Sequence, residues 1–365
     1  MNNSYVFWQH MIDPHKTFLA IALAKLGANV TVVASENLRK DRAAQGWYVP
    51  DTSGIHIEVN VNKEKAIKIL EKTPKNTIHV VSGIRNNGYM SAVIRYLRKN
   101  NLRWGVGLET VDDHGFKGPL KRLIYDFAFF IKRKHPDFLL TIGNDTPQWF
   151  ADRGYPKRKI FPFTYFISEQ DFIYESNNSS LFKLGFVGQL IKRKRLDLLI
   201  NAIEKSNITN YELIIIGDGV QSASLMNKSR KLSKRGSVRW LGTLPMPDTR
   251  RIISTLDCLV LPSKHDGWGV VVSEALINGV PAICSDACGS AAAVHASGVG
   301  GVFKSGDVQS LSALLKKTVL KGAPSLEQRQ EIASWSKQLC SKNGANYFLS
   351  IMACVYNGES RPTLY

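Results

Sequence analysis

The sequence predicts an α/β protein built from two doubly wound parallel sheets. Three observations predict it. Short apolar runs alternate with amphipathic segments almost from end to end of the 365 residues. Those runs are apolar throughout, whereas a half-exposed strand would be apolar at every second position. A polar, non-periodic stretch interrupts the alternation near the middle. A strand apolar on both sides belongs in a sheet covered on both faces, which strand–helix–strand crossovers build. The length suits two domains of ~100–200 residues each.

In the first half, Tyr5–Gln9, Val30–Ala34, Ile78–Val81, Gly105–Glu109 and Phe138–Ile142 read as buried strands. Lys16–Leu26, Tyr89–Lys99, Leu120–Lys134 and Thr146–Arg153 carry helical spacing between them. Lys159–Phe166 reads as an extended connector, and Glu175–Ser180, polar and without periodicity, as a hinge. Alternation restarts with strands Lys183–Val187, Tyr211–Ile216, Val238–Leu241, Cys258–Leu261 and Pro281–Ser285. Their helices are Leu196–Lys205, Gln221–Lys234, Asp248–Thr255 and Val270–Asn278, followed by Val308–Leu320 and one long closing helix, Leu326–Tyr347. The expected domains are therefore 1–165 and 182–335, a linker over 166–181, and a C-terminal helical segment, 336–365, able to cross back to the first domain. In doubly wound sheets ligands bind beyond the carboxyl ends of the strands, so a cleft between the two sheets is the expected site.

Lys and Arg number 48 against 30 Asp and Glu, a formal charge of +18. Such a surface favours polyanions: nucleic acid, an anionic membrane face, or phosphate-bearing substrates. Hydrophobic residues at 44% and charged residues at 21% exclude a disordered or fibrous chain. The five cysteines show neither a CxxC pair nor a Cys/His ligand spacing, which argues against a zinc site or a disulfide framework and for a reducing compartment. The N-terminus lacks the pattern of a signal peptide, and no apolar run approaches the ~20 residues a spanning helix needs. The expected location is cytoplasmic, in solution or on a membrane surface.

The most informative stretch runs from Leu261 through Pro262-Ser263-Lys264-His265-Asp266-Gly267-Trp268-Gly269 into Val270–Leu276. A strand ends, a loop with two glycines follows, and a helix begins. Gly267 and Gly269 allow close backbone approach at a helix N-terminus, whose N–H groups and positive dipole end suit a phosphate. Asp266 in the loop and Glu274 in the helix flank that position, one placed to accept from sugar hydroxyls and the other from a ribose diol. No helix-turn-helix, RNA-recognition or zinc signature accompanies the basic charge, so nucleic acid is not an expected partner.

These residues resemble the retaining glycosyltransferases of the GT-B fold whose C-terminal domain carries a Glu-x7-Glu motif, the glycosyl transferases of group 1 that build bacterial surface polysaccharides. The motif here is Asp266-x7-Glu274, with aspartate at the first position. Gly279-Val280-Pro281, Ser285-Asp286 and Gly289 continue the pattern. Upstream, Gly185–Arg195 resembles the loop that usually grips the donor diphosphate with an arginine and a lysine. Gln189 stands at the arginine position and Lys194 at the lysine position, with Lys192, Arg193 and Arg195 as candidates for the missing charge. Ile214–Gly219 and Val238–Gly242 match two further blocks, the second, with Trp240, usually lying near the nucleobase. The resemblance covers 182–303 and extends to the first half by architecture only.

It implies a donor site formed by Glu274, Gly267, Trp268, Gly269, Gln189, Arg193, Trp240 and His15, with Asp266 and Lys194 as catalytic residues. It also implies a nucleotide-sugar co-substrate, UDP- or GDP-linked, with no metal and no cofactor. His15 stands where relatives carry a glycine pair. It reads equally as a donor to a phosphate or acceptor hydroxyl and as a polar residue on the surface at a helix start. Glu109 and His114 are both candidates for the acceptor-side catalytic residue that relatives place after this strand. The helix over 120–134, aromatic and basic at both ends, suits an anionic bilayer, and also suits a core helix with basic ends. The expected acceptor is a saccharide, lipid-linked, at the cytoplasmic face of the inner membrane. The alternatives are a catalytically silent nucleotide-sugar binder, suggested by Gln189 and Asp13-Pro14-His15, and a basic nucleic-acid-binding protein, suggested by charge alone; the Asp266-x7-Glu274 blocks argue against a third, a sugar-nucleotide 2-epimerase of the same fold.

Overall fold

The structure, a computed structural model, describes residues 3–83, 88–111, 113, 118–132, 136–169 and 180–365, with side chains in 118–132 described as far as Phe127. The chain divides into two compact units. One comprises Met1–Lys40, Tyr48–Ser168 and Cys340–Tyr365, the other Asp41–Trp47 and Glu169–Leu339.

The first run of elements is β1 (Ser4–Met11), α1 (Pro14–Lys25), β2 (Asn29–Glu36), α2 (Lys40–Ala43), β3 (His56–Glu58), α3 (Lys63–Lys72), β4 (Ile78–Ser82), α4 (Met90–Lys99), β5 (Trp104–Glu109), α5 (Gly118–Lys132), β6 (Phe138–Ile142), α6 (Thr146–Asp152) and β7 (Ile160–Phe163). The seven strands form one parallel sheet in the order β3-β2-β1-β4-β5-β6-β7. The order reverses at β1, so the carboxyl ends of β1 and β4 flank the switch point where doubly wound sheets take ligands. α1 starts where Pro14 presets a helical φ and the Asp13 carboxylate accepts from the His15 backbone N–H at 2.9 Å. In the core, the Trp8 indole donates to Nδ1 of His79 at 3.2 Å, and burial pushes that imidazole down to about 4.

The second run is β8 (Phe182–Val187), α7 (Leu196–Ser206), β9 (Tyr211–Ile216), α8 (Ser222–Ser229), β10 (Gly236–Trp240), α9 (Met246–Ser254), β11 (Cys258–Leu261), α10 (Val270–Ile277), β12 (Ala282–Ser285), α11 (Ala291–Ser297), β13 (Gly301–Phe303), α12 (Val308–Lys321) and α13 (Leu326–Ser336), with α14 (Ser341–Asn357) closing the chain. The sheet is again parallel, β10-β9-β8-β11-β12-β13, and reverses at β8.

Several sequence expectations need correction. Lys159–Phe166, read as a connector, contains the edge strand β7, whose Ile160 and Phe163 pair with Leu139 and Ile142. The stretch 221–234 is α8 followed by a tighter 3₁₀ turn over Arg230–Lys234. The long closing helix is two helices, because Cys340 adopts an extended backbone that bridges to Ile167, and the Ser341 N–H donates to the Ile167 carbonyl at 2.8 Å. α14 then packs on α1 within the first unit. Strands β3 and β13 and helices α2 and α11 are too short to show a clear period, and α3, amphipathic with Ala66 and Leu70 buried, was not anticipated. The hinge over 175–179 lies outside the described residues. All five cysteines are free thiols, and four of them are buried.

Candidate active site

β8 and β11 are hydrogen-bonded neighbours running in parallel, with Cys258 opposite Leu184. Their following loops therefore leave the same sheet edge side by side. The loop after β8, Gly188–Arg195, carries the basic residues, and the loop after β11, Pro262–Gly269, carries the aspartate. Backbone bonds join them: the Lys264 N–H donates to the Arg193 carbonyl at 2.8 Å, and the Arg193 guanidinium donates to the His265 carbonyl at 2.8 Å. The first loop is also held by its neighbour after β9. The Leu190 N–H donates to the Asp218 carbonyl at 2.9 Å, and a Cβ on Gly217 would lie 2.0 Å from the Gly188 carbonyl oxygen. Only glycine admits that approach.

The outcome is a compact cation–carboxylate cluster. Lys194 Nζ donates to Asp266 Oδ2 at 2.5 Å, Ser263 Oγ lies 3.3 Å from the same oxygen, and Arg193 Nη1 is 3.7 Å from Oδ1. The Lys194 and Asp266 side chains are each 14% exposed. Burial pushes the Asp266 carboxyl upward, but the Lys194 charge and hydrogen bond, with Arg193 and Ser263 behind them, outweigh it and hold the carboxyl below its ordinary value. Asp266 is ionised at neutral pH. Because an ammonium has three donors, Lys194 can keep Asp266 and still donate to an anion.

Gly269 is the residue before α10 and has φ +89°, a left-handed conformation. A Cβ there would meet Leu261 Cδ2 at 2.6 Å and lie 3.9 Å from the Asp266 carboxyl carbon. Glycine is thus favoured by the left-handed turn and by the close approach of Leu261 and, at 3.1 Å, of Ser290 Oγ. The first N–H groups of α10 have no intrahelical acceptor, so this helix end offers donors beside Asp266, Lys194 and Arg193. Asp266 is tied in turn to the segment after β12: its N–H donates to the Ala287 carbonyl at 3.1 Å, and its carbonyl accepts from the Gly289 N–H at 3.0 Å.

The remaining expected residues fall less uniformly. Trp268 is 2% exposed and its indole N–H donates to Ser273 Oγ at 2.9 Å, so it shapes the loop from inside and does not present its ring as a ligand-binding face. Glu274 is buried and its Oε1 accepts from Arg250 Nε at 3.0 Å, a partner on α9 that the sequence reading missed. Arg250 is followed by Arg251 on the same amphipathic helix, nothing local marks which of the two turns inward, and its partner lies 24 positions away. Arg195 turns from the cluster to Asp197 at 3.0 Å. Gln189 and Trp240 are half-buried, and Trp240 packs on the apolar core of the second unit. Cys284 and Cys288 are buried, with Cys288 Sγ 3.7 Å from the Leu261 carbonyl oxygen.

In the first unit, His15 is 6% exposed, with its ring centroid 6.2 Å from that of Tyr165. The surface alternative for His15 is therefore set aside by its burial. Glu109, exposed at the end of β5, accepts from the Tyr165 hydroxyl. His114 lies outside the described residues.

Two parallel-sheet Rossmann-like units define the GT-B architecture, and comparison with known proteins agrees. Residues 168–338 match the family described as glycosyl transferases group 1. The O-antigen biosynthesis glycosyltransferase WclY of Escherichia coli is 35% identical over 104 residues, which cover 28% of this chain and 28% of WclY. The chain thus matches little more than a quarter of that relative's length. Among solved structures, HepE of Anabaena in complex with UDP superimposes with a TM-score of 0.68 at 13% identity, covering 97% of this chain and 100% of that one. The lipopolysaccharide outer core galactosyltransferase WaaB gives 0.69 at 16%, covering 96% and 99%.

Proposed function

We propose that this protein is a retaining, metal-independent glycosyltransferase that moves a sugar from a UDP- or GDP-sugar to a lipid-linked saccharide in the assembly of a cell-surface polysaccharide. The observation that carries the reading is the cluster of Lys194, Arg193 and ionised Asp266 at the glycine-initiated start of α10. A departing diphosphate gains negative charge as the glycosidic bond breaks, and preorganised cations with helix N–H donors stabilise that charge. In this reading Lys194, Arg193 and the α10 terminus take the diphosphate, while Asp266 accepts from donor-sugar hydroxyls. Glu274, oriented by Arg250, accepts from the ribose. Two protein cations supply the countercharge a metal would otherwise provide. The match over 168–338, the O-antigen relative and the UDP held by HepE support the donor class and the pathway.

The test is a thermal-shift screen of UDP- and GDP-sugars followed by transfer from the hit, with chelator present and product anomer read by NMR. One nucleotide sugar should stabilise the protein, by ~2.7 kcal/mol at a hundredfold excess over Kd. Transfer should survive chelation and keep the donor's anomeric configuration. Stabilisation without transfer would mean a silent binder, and an inverted product would overturn retention.

The same reading places the enzyme on an anionic membrane. Among the described residues no helix is long and apolar enough to cross a bilayer. On α5, however, Leu120, Leu123, Ile124 and Phe127 are 58–67% exposed at the i, i+3, i+4, i+7 spacing of one helix face. The opposite face is anchored: Tyr125 packs edge-on against Trp149 at 5.2 Å, and Asp113 accepts from Arg122 at 2.7 Å and from the Trp149 indole at 2.9 Å. Full burial of each such side chain is worth ~1.5–3 kcal/mol, and each nearby cation adds ~1 kcal/mol on an anionic surface. The protein should co-sediment with phosphatidylcholine vesicles containing phosphatidylglycerol more than with neutral ones. The pair Leu123→Glu and Phe127→Glu should weaken that binding tenfold or more; unchanged sedimentation would remove α5 from this role.

A further inference from the structure

Gln9 stands near the end of β1, where the strand order of the first sheet reverses. Its side chain is 2% exposed, and neither Oε1 nor Nε2 has a hydrogen-bond partner among the described residues. An unpaired buried polar group costs about 1–3 kcal/mol, and native structures carry few of them without a reason. Gln9 borders a cavity of about 60 Å³ whose walls are mainly apolar, among them Phe7, Leu19, Val80, Leu140 and Phe163. Lys16, Ser82 and Tyr165 line this recess and also a larger cavity of about 460 Å³, which Glu109, Thr110 and Lys121 border as well. A small apolar recess with one carboxamide thus adjoins a roomier polar chamber, all within the first unit.

We propose that the recess is a subsite for an N-acyl group, the acetamido substituent of an amino-sugar acceptor. The term acceptor rests on the glycosyltransferase reading above, and the inference names the kind of sugar accepted. An acetamido group matches the recess in both respects. Its methyl fills apolar space and its carbonyl accepts from Gln9 Nε2; a trans amide points its N–H away from its carbonyl, so Gln9 Oε1 accepts from an adjacent hydroxyl of the same sugar. A sugar hydroxyl in the same place satisfies the carboxamide but leaves the apolar walls uncovered. A carboxylate pairs with Lys16 but offers Gln9 Oε1 no donor. The rest of the sugar occupies the larger cavity, where Glu109, Thr110 and Lys16 meet its hydroxyls. Filling an apolar pocket with one more methylene-sized group discriminates by about 10–200-fold, which sets the preference over a hydroxyl.

The test measures binding of octyl N-acetylglucosaminide, octyl glucoside and octyl glucuronide by saturation-transfer NMR, with thermal stabilisation by UDP and by GDP as a separate readout. The N-acetyl glycoside should bind at least tenfold tighter than the other two. Gln9→Leu, which removes the unpaired groups, should erase that preference without lowering Tm. Gln9→Glu, nearly isosteric, should erase it as well because its carboxylate cannot donate to the acyl carbonyl. The nucleotide that stabilises the parent, UDP or GDP, should stabilise both variants alike. Equal binding of the three glycosides, preference for the glucuronide, no binding, or a preference that survives in both variants would overturn the proposal. Failure of both UDP and GDP to stabilise any form, with the N-acetyl preference intact, would count against the glycosyltransferase reading and leave the subsite standing.

Discussion

Lys194→Met is expected to lower kcat for sugar transfer by about 10²–10³-fold, the scale set by removing one preorganised charge-stabilising group from a transition state. KM for the acceptor should change little, since the lysine faces the leaving diphosphate. The variant should also shift the pH profile. With Lys194 in place its charge outweighs burial, and the Asp266 carboxyl lies below its ordinary value. Without it, burial acts against Arg193 and Ser263 alone and the carboxyl rises. A protonated Asp266 no longer accepts from sugar hydroxyls, so the acid limb of the residual activity should move to higher pH. The same sign governs stability: an acid with a depressed folded pKa contributes stability above its unfolded pKa and loses it as pH falls. Lys192→Met, an exposed neighbour in the same loop, is the control and should transfer at near the parental rate. Parental kcat in Lys194→Met would remove the lysine from the chemistry.

The second large effect belongs to Arg250. This arginine and Glu274 join α9 to α10 with both side chains 7% exposed. Removing one partner of a buried ion pair leaves the other charge uncompensated, at a cost of about 3–5 kcal/mol. Arg250→Met should therefore lower the free energy of urea unfolding by that amount. Replacing both partners, Arg250→Met with Glu274→Leu, should recover most of the loss, because an apolar pair of similar volume has no desolvation to offset. The double variant should still fail to bind nucleotide sugar, which separates the fold's need for the pair from the ligand's need for the carboxylate. A single variant within about 1 kcal/mol of the parent would show that the pair is solvated and that Arg250 does not orient Glu274.

Much of this site could be read before any coordinates. The strand Cys258–Leu261, the glycine loop and the helix from Val270 occur where the local pattern put them, since strand ends and helix starts follow from apolar runs and glycine positions over a few residues. The same holds for Tyr211–Ile216, whose bounds coincide with β9. Failures cluster where local signal is weak or overridden. β13 is three residues long. The break at Cys340 comes from a bridge to Ile167, far away in sequence, against a locally helical pattern. Trp268 entered the expected donor site through the resemblance, and nothing local records that its indole turns inward to Ser273.

Chain order and side-chain type alone were enough to establish two α/β halves, a glycine-softened helix start between two carboxylates, and a basic loop upstream of it. They are properties of short windows, where backbone preference and periodicity act. Which charges meet is a different matter. Lys194 reaches Asp266 across 72 positions because β8 lies beside β11 in the sheet, and Arg250 reaches Glu274 because α9 lies against α10. The Gln9 side chain is left without a partner among the described residues, near the end of β1 where the strand order reverses. Strand order and helix docking minimise the free energy of the whole packed chain, so pairings of this kind are settled by folding and leave no mark in any single stretch of sequence.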